Sequence, residues 1–215
     1  MELVSVNVGL PRLAQFQGET VRTGIFKQAV SGPVPLTRTN LQGDQQADRA
    51  AHGGVDKAVY AYPLEHYDYW QLELQQKLPD MGSFGENFTV CGMLENEICI
   101  GDTFEVGTAV VQVSQPRTPC LKLAVRLQRA ELPREFLRSL RSGFYLRVLQ
   151  EGHVASGDRF TLTNRDPVLI TVRQMIHVYH FDRKNREAAR NALENRSLAA
   201  AWRDELEKRV RTLPD

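Results

Sequence analysis

Cysteine is scarce in this sequence. Its 215 residues include three cysteines, Cys91, Cys99 and Cys120, and no two of them form a CxxC pair. An odd number of separated thiols argues against a disulfide framework, which needs paired cysteines. Iron–sulfur clusters and cysteine-rich zinc sites need several clustered thiolates, so the sequence argues against both. We interpret Cys91 and Cys99, which lie in apolar strand-like runs, as core residues.

Excess charge and long apolar runs are also missing. Lys and Arg together number 27 and Asp and Glu 26, for a formal net charge of +1. This balance gives no overall field to attract nucleic acid or a membrane surface. No apolar run approaches the roughly 20 residues that span a bilayer, and the first ten residues, MELVSVNVGL, lack a basic region before an apolar stretch. We therefore expect a cytoplasmic protein, monomeric or homodimeric, with neither a nucleic-acid polymer nor a membrane as partner.

Short strands separated by turn residues dominate the first part of the chain. Residues 3–8 alternate between apolar and polar types, and residues 145–149 and 159–163 repeat the style around a glycine-containing turn. This spacing is typical of a β-barrel or sandwich. The sequence predicts a mainly β domain over residues 1–167 with two modest helices, one of them over residues 63–78.

The composition changes after Pro167, where three helical stretches are predicted at roughly 171–179, 183–194 and 197–210. Asp182 and Ser197 are the candidate N-caps. Between Arg183 and Arg211 there are nine Lys or Arg residues against five Asp or Glu residues. We predict a mildly basic three-helix appendage over residues 168–215, serving structural packing or partner docking.

A long polar stretch, residues 37–51, shows neither helical nor strand periodicity, which inside a compact domain is more often functional than idle. It leads into His52, Gly53 and Gly54, followed by an apolar run at 55–62 suited to a buried strand. Adjacent glycines let backbone N–H groups approach a ligand closely, and His52 and Lys57 could add donors. A double glycine before a strand is equally typical of an ordinary turn. Neither the Walker lysine motif nor GxGxxG is present.

The decapeptide SQPRTPCLKL at 114–123 carries the clearest chemistry. It follows an alternating run at 106–113, so Cys120 is expected in a turn at a strand end, stiffened by Pro116 and Pro119. Arg117 and Lys122 place permanent positive charge nearby, which favours the thiolate that binds soft metals or attacks electrophiles. A lone cysteine in apolar surroundings can also be a small buried hydrophobe.

Several separated motifs together resemble one family. The segments GDQQADRAAHGGVDKAVYAYP, FGENFTV, IGDTFEVG and SQPRTPCLKL resemble the MOSC domain, which is shared with molybdenum cofactor sulfurase C-termini and amidoxime-reducing enzymes. The helical tail resembles the three-α domain that follows MOSC in YiiM-like bacterial proteins. The resemblance implies a MOSC β-barrel that binds the molybdenum cofactor (molybdopterin), with Cys120 of the RxPC motif as the protein ligand of molybdenum.

The resemblance also assigns expected roles around the cofactor. Basic side chains would offset its negative charge, the two glycines would admit it closely, and Asn87 would hydrogen-bond its pterin. The residues expected to bind it are His52, Gly53, Gly54, Lys57, Asn87, Arg117 and Lys122.

YiiM-like proteins reduce N-hydroxylated compounds, so the resemblance implies an oxidoreductase that detoxifies small-molecule substrates such as 6-N-hydroxylaminopurine. Each oxygen removed needs two electrons, yet the chain has neither a Rossmann fingerprint nor four clustered cysteines. A separate reductase of the flavoprotein or ferredoxin type is therefore expected as partner. Two alternatives remain at this point: a sulfur carrier or cofactor-binding module with a persulfide on Cys120, and a hydrolase-like dyad of Cys120 with His52, His66 or His153.

Overall fold

The computed structural model describes residues 1–48 and 53–213. Eight of the twelve strands in these ranges form one curled sheet, and the other four form two small two-stranded sheets. The strands are β1 (Glu2–Val8), β2 (Arg12–Phe16), β3 (Glu19–Thr23), β4 (Gln28–Val30), β5 (Val34–Leu36), β6 (Val59–Pro63), β7 (Phe88–Cys91), β8 (Thr103–Val106), β9 (Ala109–Pro116), β10 (Phe144–Gln150), β11 (Gly152–Val154) and β12 (Thr161–Asn164).

The large sheet has the strand order β12-β8-β9-β10-β6-β7-β1-β4. Its neighbours pair antiparallel except β6 and β7, which run parallel. Alternation along the strands places one set of side chains inside: Val111 and Val113 of β9 are fully buried, as is Leu146 of β10. The mainly β architecture predicted from the sequence is confirmed.

The helices are shorter and more numerous than predicted. Before Pro167 the structure has three α-helices instead of two, and a 3₁₀-helix takes the start of the apolar run at 55–62. The helices are a 3₁₀-helix (Val55–Lys57), α1 (His66–Leu74), α2 (Leu121–Leu127), α3 (Leu132–Ser139), α4 (Val172–Ile176), a π-helix (His177–Phe181), α5 (Arg186–Leu193) and α6 (Ala200–Thr212).

The three predicted C-terminal helices are confirmed, but their predicted caps are wrong. Thr171 begins α4 in a capping box, in which its side chain accepts from the Gln174 N–H at 3.1 Å and Gln174 reaches back. Asn185, not Asp182, caps α5 by accepting from the Ala188 N–H, and Ala199 precedes α6 without a side-chain cap. The sequence offered several Asp, Asn and Ser residues at these junctions, and only backbone geometry selects among them.

The C-terminal helices share the apolar core of the sheet. Val172, Met175 and Ile176 are fully buried in the same cluster as Val111 and Val113. Burial of side chains of this size contributes about 1.5–3 kcal/mol each. The boundary at 167/168 stays a prediction, but these helices are packed onto the sheet as part of one core.

Cys91 and Cys99, the two cysteines that were predicted to be core residues, differ in burial. Cys99 is buried, as predicted, whereas Cys91 is exposed at the end of β7, so its prediction as a core residue is wrong. The negative charge of Glu65 raises the pKa of the Cys91 thiol, which makes it a poor nucleophile. Across the described ranges, no helix combines the length and hydropathy needed to cross a membrane.

Candidate cofactor-binding cleft

A cleft beside Cys120 contains about 610 Å³ of empty space, part of it open to solvent. The described residues that line it are Thr23, Gly24, Ile25, Lys27, Asp44, Gln46, Ala47, Lys57, Tyr60, Gly85, Asn87, Arg117, Thr118, Cys120, Lys122 and Tyr145.

Cys120 is held between the end of a strand and the start of a helix. The strand β9 ends at Pro116, and the Arg117 N–H then donates to the Gly143 carbonyl at 3.2 Å. Cys120 has an extended backbone, with φ −132° and ψ 174°, and is the N-cap residue of α2. The Leu123 N–H donates to the Cys120 carbonyl at 3.0 Å, which fixes the first turn. The half-buried thiol therefore lies on a loop anchored at both ends.

Arg117 is buried next to this thiol. Its guanidinium carbon lies 4.8 Å from the centroid of the Tyr60 ring and 5.3 Å from that of Phe136. Burial alone would lower the pKa of Arg117, but the anionic forms of Tyr60 and Cys120 beside it raise that pKa above its usual value. Its Nη1 is buried without a hydrogen-bond partner. Arg117 thus brings a permanent charge and unused donor capacity to the cleft.

Positive charge is concentrated here. Lys27, Lys57, Arg117 and Lys122 line the cleft with Asp44 as the one carboxylate among the described lining residues. The local excess of three positive charges contrasts with a net charge of +1 for the whole chain. The cleft therefore suits an anionic ligand.

Lys27 and Asp44 form an ion pair that the sequence analysis missed. The Gly9 N–H donates to the same Asp44 oxygen, Oδ1, at 2.9 Å, while Asp44 Oδ2 is buried without a hydrogen-bond partner. Burial lowers the pKa of Lys27 even though Asp44 pulls it upward. The GDQQAD segment of the family motifs contains Asp44, but nothing in the sequence places Lys27 against it.

Asn87 lines the cleft, and its side-chain amide links the backbones of two strands. Its Oδ1 accepts from the Tyr60 N–H at 3.1 Å, and its Nδ2 donates to the Asn7 carbonyl at 3.3 Å. Both ends of the amide are thus already used by the backbone. Its predicted bond to a pterin stays a prediction.

The glycine loop is only partly described. Lys57 lines the cleft, whereas Gly53 and Gly54 are not among the described lining residues. Gly54 has φ 97° and ψ 166° and precedes the 3₁₀-helix. That conformation is essentially restricted to glycine, so the turn by itself requires Gly54. His52 lies outside the described residues, and the roles of His52 and the two glycines towards a cofactor stay predictions.

Two of the histidines considered as partners of Cys120 lie elsewhere. His66 Nε2 is 2.7 Å from Glu95 Oε2, away from the cleft lining, and His153 does not line the cleft either. A different histidine, His180 of the π-helix, places its Nε2 3.2 Å from Thr118 Oγ1. The sequence analysis missed this contact, because 62 positions separate the two residues.

No group of three or more His, Cys, Asp or Glu side chains in the described ranges is arranged to hold a metal ion. Cys120 is the one thiol among the described lining residues that could act as a ligand to a metal in this cleft.

Comparisons with known proteins match the whole length of the chain. Residues 48–161 match the MOSC domain, and residues 170–213 match the YiiM-like, 3-alpha helix domain. The uncharacterised protein YflK of Bacillus subtilis is 41% identical over 213 residues, covering 99% of this chain and 96% of that protein. A protein of Gibberella moniliformis named as a reductase is 35% identical over 166 residues, covering 76% of this chain but only 29% of its own length. The crystal structure of YiiM from Geobacillus stearothermophilus superimposes with a TM-score of 0.83 at 37% identity, covering 97% of this chain and 98% of that one.

Proposed function

The chain belongs to the MOSC domain family, with a YiiM-like three-helix domain after the β domain, and from this membership we propose that it is a molybdenum-cofactor-dependent oxidoreductase. Its proposed substrates are N-hydroxylated compounds such as 6-N-hydroxylaminopurine and related bases, which it would detoxify by removing the N-linked oxygen.

The observation that carries the proposal is a thiol on the wall of a cationic cleft. The molybdenum cofactor is anionic, and the cleft supplies Lys57, Arg117 and Lys122 to offset that charge. Arg117 Nη1, buried and without a partner, is an additional donor near the site. The Cys120 thiolate is a soft ligand suited to a transition metal. The residues present therefore fit the cofactor that the family implies.

When bound, the cofactor would supply oxygen-atom-transfer and two-electron redox chemistry. The overall reaction converts R–NHOH, two electrons and two protons into R–NH₂ and water. The chain itself provides charge and protons. Lys27 is one of the residues that line the cleft, and since burial lowers its pKa, its ammonium group releases a proton more readily than that of an exposed lysine. We assign Lys27 as the proton donor, with Asp44 holding its ammonium group in place.

Reductive chemistry is supported by one relative, the Gibberella protein named as a reductase. The chain matches less than a third of that protein, so the remainder could hold functions that this chain obtains from elsewhere. We propose that electrons reach this protein from a separate flavoprotein or ferredoxin-type reductase.

The test is turnover of 6-N-hydroxylaminopurine by protein purified from a molybdenum-replete, cofactor-competent host. We expect adenine to form with a reduced viologen and not with NADPH alone. Molybdenum-loaded protein that makes no adenine with the viologen would overturn the reductase proposal. Turnover with NADPH alone would overturn the separate electron donor, and cyanide-releasable sulfur on Cys120 without molybdenum would favour a sulfur carrier.

A further inference from the structure

We propose that His180 is a positioning residue that fixes the loop at 117–120, here called the Cys120 loop, so that the C-terminal helices set the geometry of the candidate metal ligand. The importance of that geometry rests on the proposed function of Cys120. The contact itself is the 3.2 Å approach of His180 Nε2 to Thr118 Oγ1, two residues before Cys120.

Side chains of α6 contact the π-helix that carries His180 and hold it in place. The buried Arg209 donates from Nη1 to the Val178 carbonyl at 3.3 Å and lies 4.7 Å from the centroid of the Tyr179 ring. The Tyr179 ring in turn packs on Trp202, with centroids 4.0 Å apart. His180 is therefore presented by a segment with little freedom to move.

The π-helical turn itself determines which residue faces the Cys120 loop. A π-turn holds one more residue than an α-turn, which rotates the following side chains by roughly 100° around the axis. Continuing α4 as a regular helix through residue 181 would therefore aim a different side chain at Thr118. Such single π-turns within helices are frequent at functional sites.

His180 is a neutral partner for the Thr118 hydroxyl. Burial, followed by the positive charges of Arg209 and Arg183, lowers the pKa of His180 to about 4. Its ring packs against Tyr179 at 4.9 Å and Trp202 at 6.0 Å. At neutral pH the imidazole therefore carries one N–H and one lone pair, and its Nε2 is within hydrogen-bonding distance of the hydroxyl.

The loop has anchors on both sides of Thr118. Arg117 is tied to Gly143 before it, and Cys120 to Leu123 after it. The His180 contact is a side-chain link from the middle of the loop to the C-terminal helices. Its loss would leave the anchors intact but free the Thr118–Pro119 segment, and with it the direction of the thiol.

The experiment measures amide hydrogen exchange in the full-length, cofactor-free protein. We compare His180→Phe, which keeps a ring but removes the hydrogen bond, with Thr118→Val, which removes the partner at an exposed site, and with both together. His180→Gln restores an amide near the Nε2 position, and His177→Gln is the matched control on the exposed face of the same π-helix.

We expect both single variants to speed exchange in residues 117–123 by about threefold to tenfold, the factor that one ordinary hydrogen bond is worth. The double variant should add nothing further, His180→Gln should recover protection, and His177→Gln should change nothing. Exchange that stays the same in this segment, or rises equally throughout the sheet, would overturn the proposal.

A second readout links the contact to the metal. Molybdenum should leave the loaded His180→Phe protein faster than the native protein during dialysis. Because exchange is measured without cofactor, it tests the positioning role even if the reductase proposal fails. Faster exchange with unchanged molybdenum retention would show that the loop is positioned for something other than the metal, and would overturn the link to Cys120.

Discussion

Lys27 and Asp44 form an ion pair on the wall of the cleft that contains Cys120, with 6% of the Lys27 side chain and none of the Asp44 side chain exposed. The pair joins the loop before β4 to the middle of the polar stretch at 37–51, while the Gly9 N–H donates to the same carboxylate. Removing one partner of a buried ion pair destabilises a protein by more than the intact pair contributes to its net stability.

Replacing one partner of this pair should therefore lower the stability of the folded protein strongly. We expect Asp44→Ala to lower the free energy of unfolding by about 3–5 kcal/mol, because it leaves the Lys27 ammonium buried and unpaired. Urea denaturation measures this. The matched control is Glu207→Ala, which breaks the exposed pair with Arg211 on α6 and should cost less than about 1 kcal/mol. Similar losses in the two variants would contradict a buried, charged Lys27.

Gly54 tests whether the turn or a ligand requires glycine. An added Cβ would meet no atom of the described residues within 4 Å, so Gly54→Ala introduces backbone strain without a clash against them. We expect a loss of about 1–3 kcal/mol in unfolding free energy, the usual cost of a non-glycine residue in this region. Unchanged stability with lost molybdenum would show instead that close approach of the cofactor requires Gly54.

His180 should make the stability of the protein depend on pH below neutrality. Its folded pKa of about 4 lies below its ordinary value of 6.5, so between these two values the unfolded chain binds more protons. Stability therefore falls as pH drops from 6.5 towards 4. We expect His180→Gln to lose less stability than the native protein across this window in urea denaturation. Parallel profiles for the two proteins would show that His180 does not titrate as its burial beside Arg209 and Arg183 implies.

Residues 1–167 should not fold alone. The Val172 N–H donates to the Ile98 carbonyl at 2.9 Å, Asn195 donates to Ile100, and Ala199 donates to Ser114. A fragment without the helices would leave these carbonyls and the core beneath them uncovered. We expect it to be insoluble or to unfold without a cooperative transition, as measured by near-UV circular dichroism. A cooperative fragment would support two independent domains.

The strands of the sheet could be predicted from the sequence because the pattern that indicates a strand is local. The apolar alternation in residues 3–8 and 145–149 has the two-residue period of a strand, and β1 and β10 lie there. The helix α2 was not located from the sequence, because seven residues after a proline turn are too few to show a helical period. The 3₁₀-helix at Val55–Lys57 was missed because its apolar start resembles a strand.

The candidate site likewise contains some features that could be predicted from the sequence and some that could not. Arg117, Cys120 and Lys122 are neighbours in sequence, so their combined chemistry was predictable. The pairing of Lys27 with Asp44 and of Thr118 with His180 depends on how the strands curl and where the helices pack. Contacts of this kind have no local sequence signal. They appear only when the topology brings distant segments together.

The most direct test is the molybdenum content of Cys120→Ser protein from a cofactor-competent host, measured by inductively coupled plasma mass spectrometry. Cys91→Ser is the matched control, because Cys91 is exposed at a strand end and does not line the cleft. We expect stoichiometric molybdenum in the native and Cys91→Ser proteins and little in a folded Cys120→Ser protein, because a neutral hydroxyl replaces the thiolate poorly. Full molybdenum in Cys120→Ser protein would contradict the assignment of Cys120 as the metal ligand.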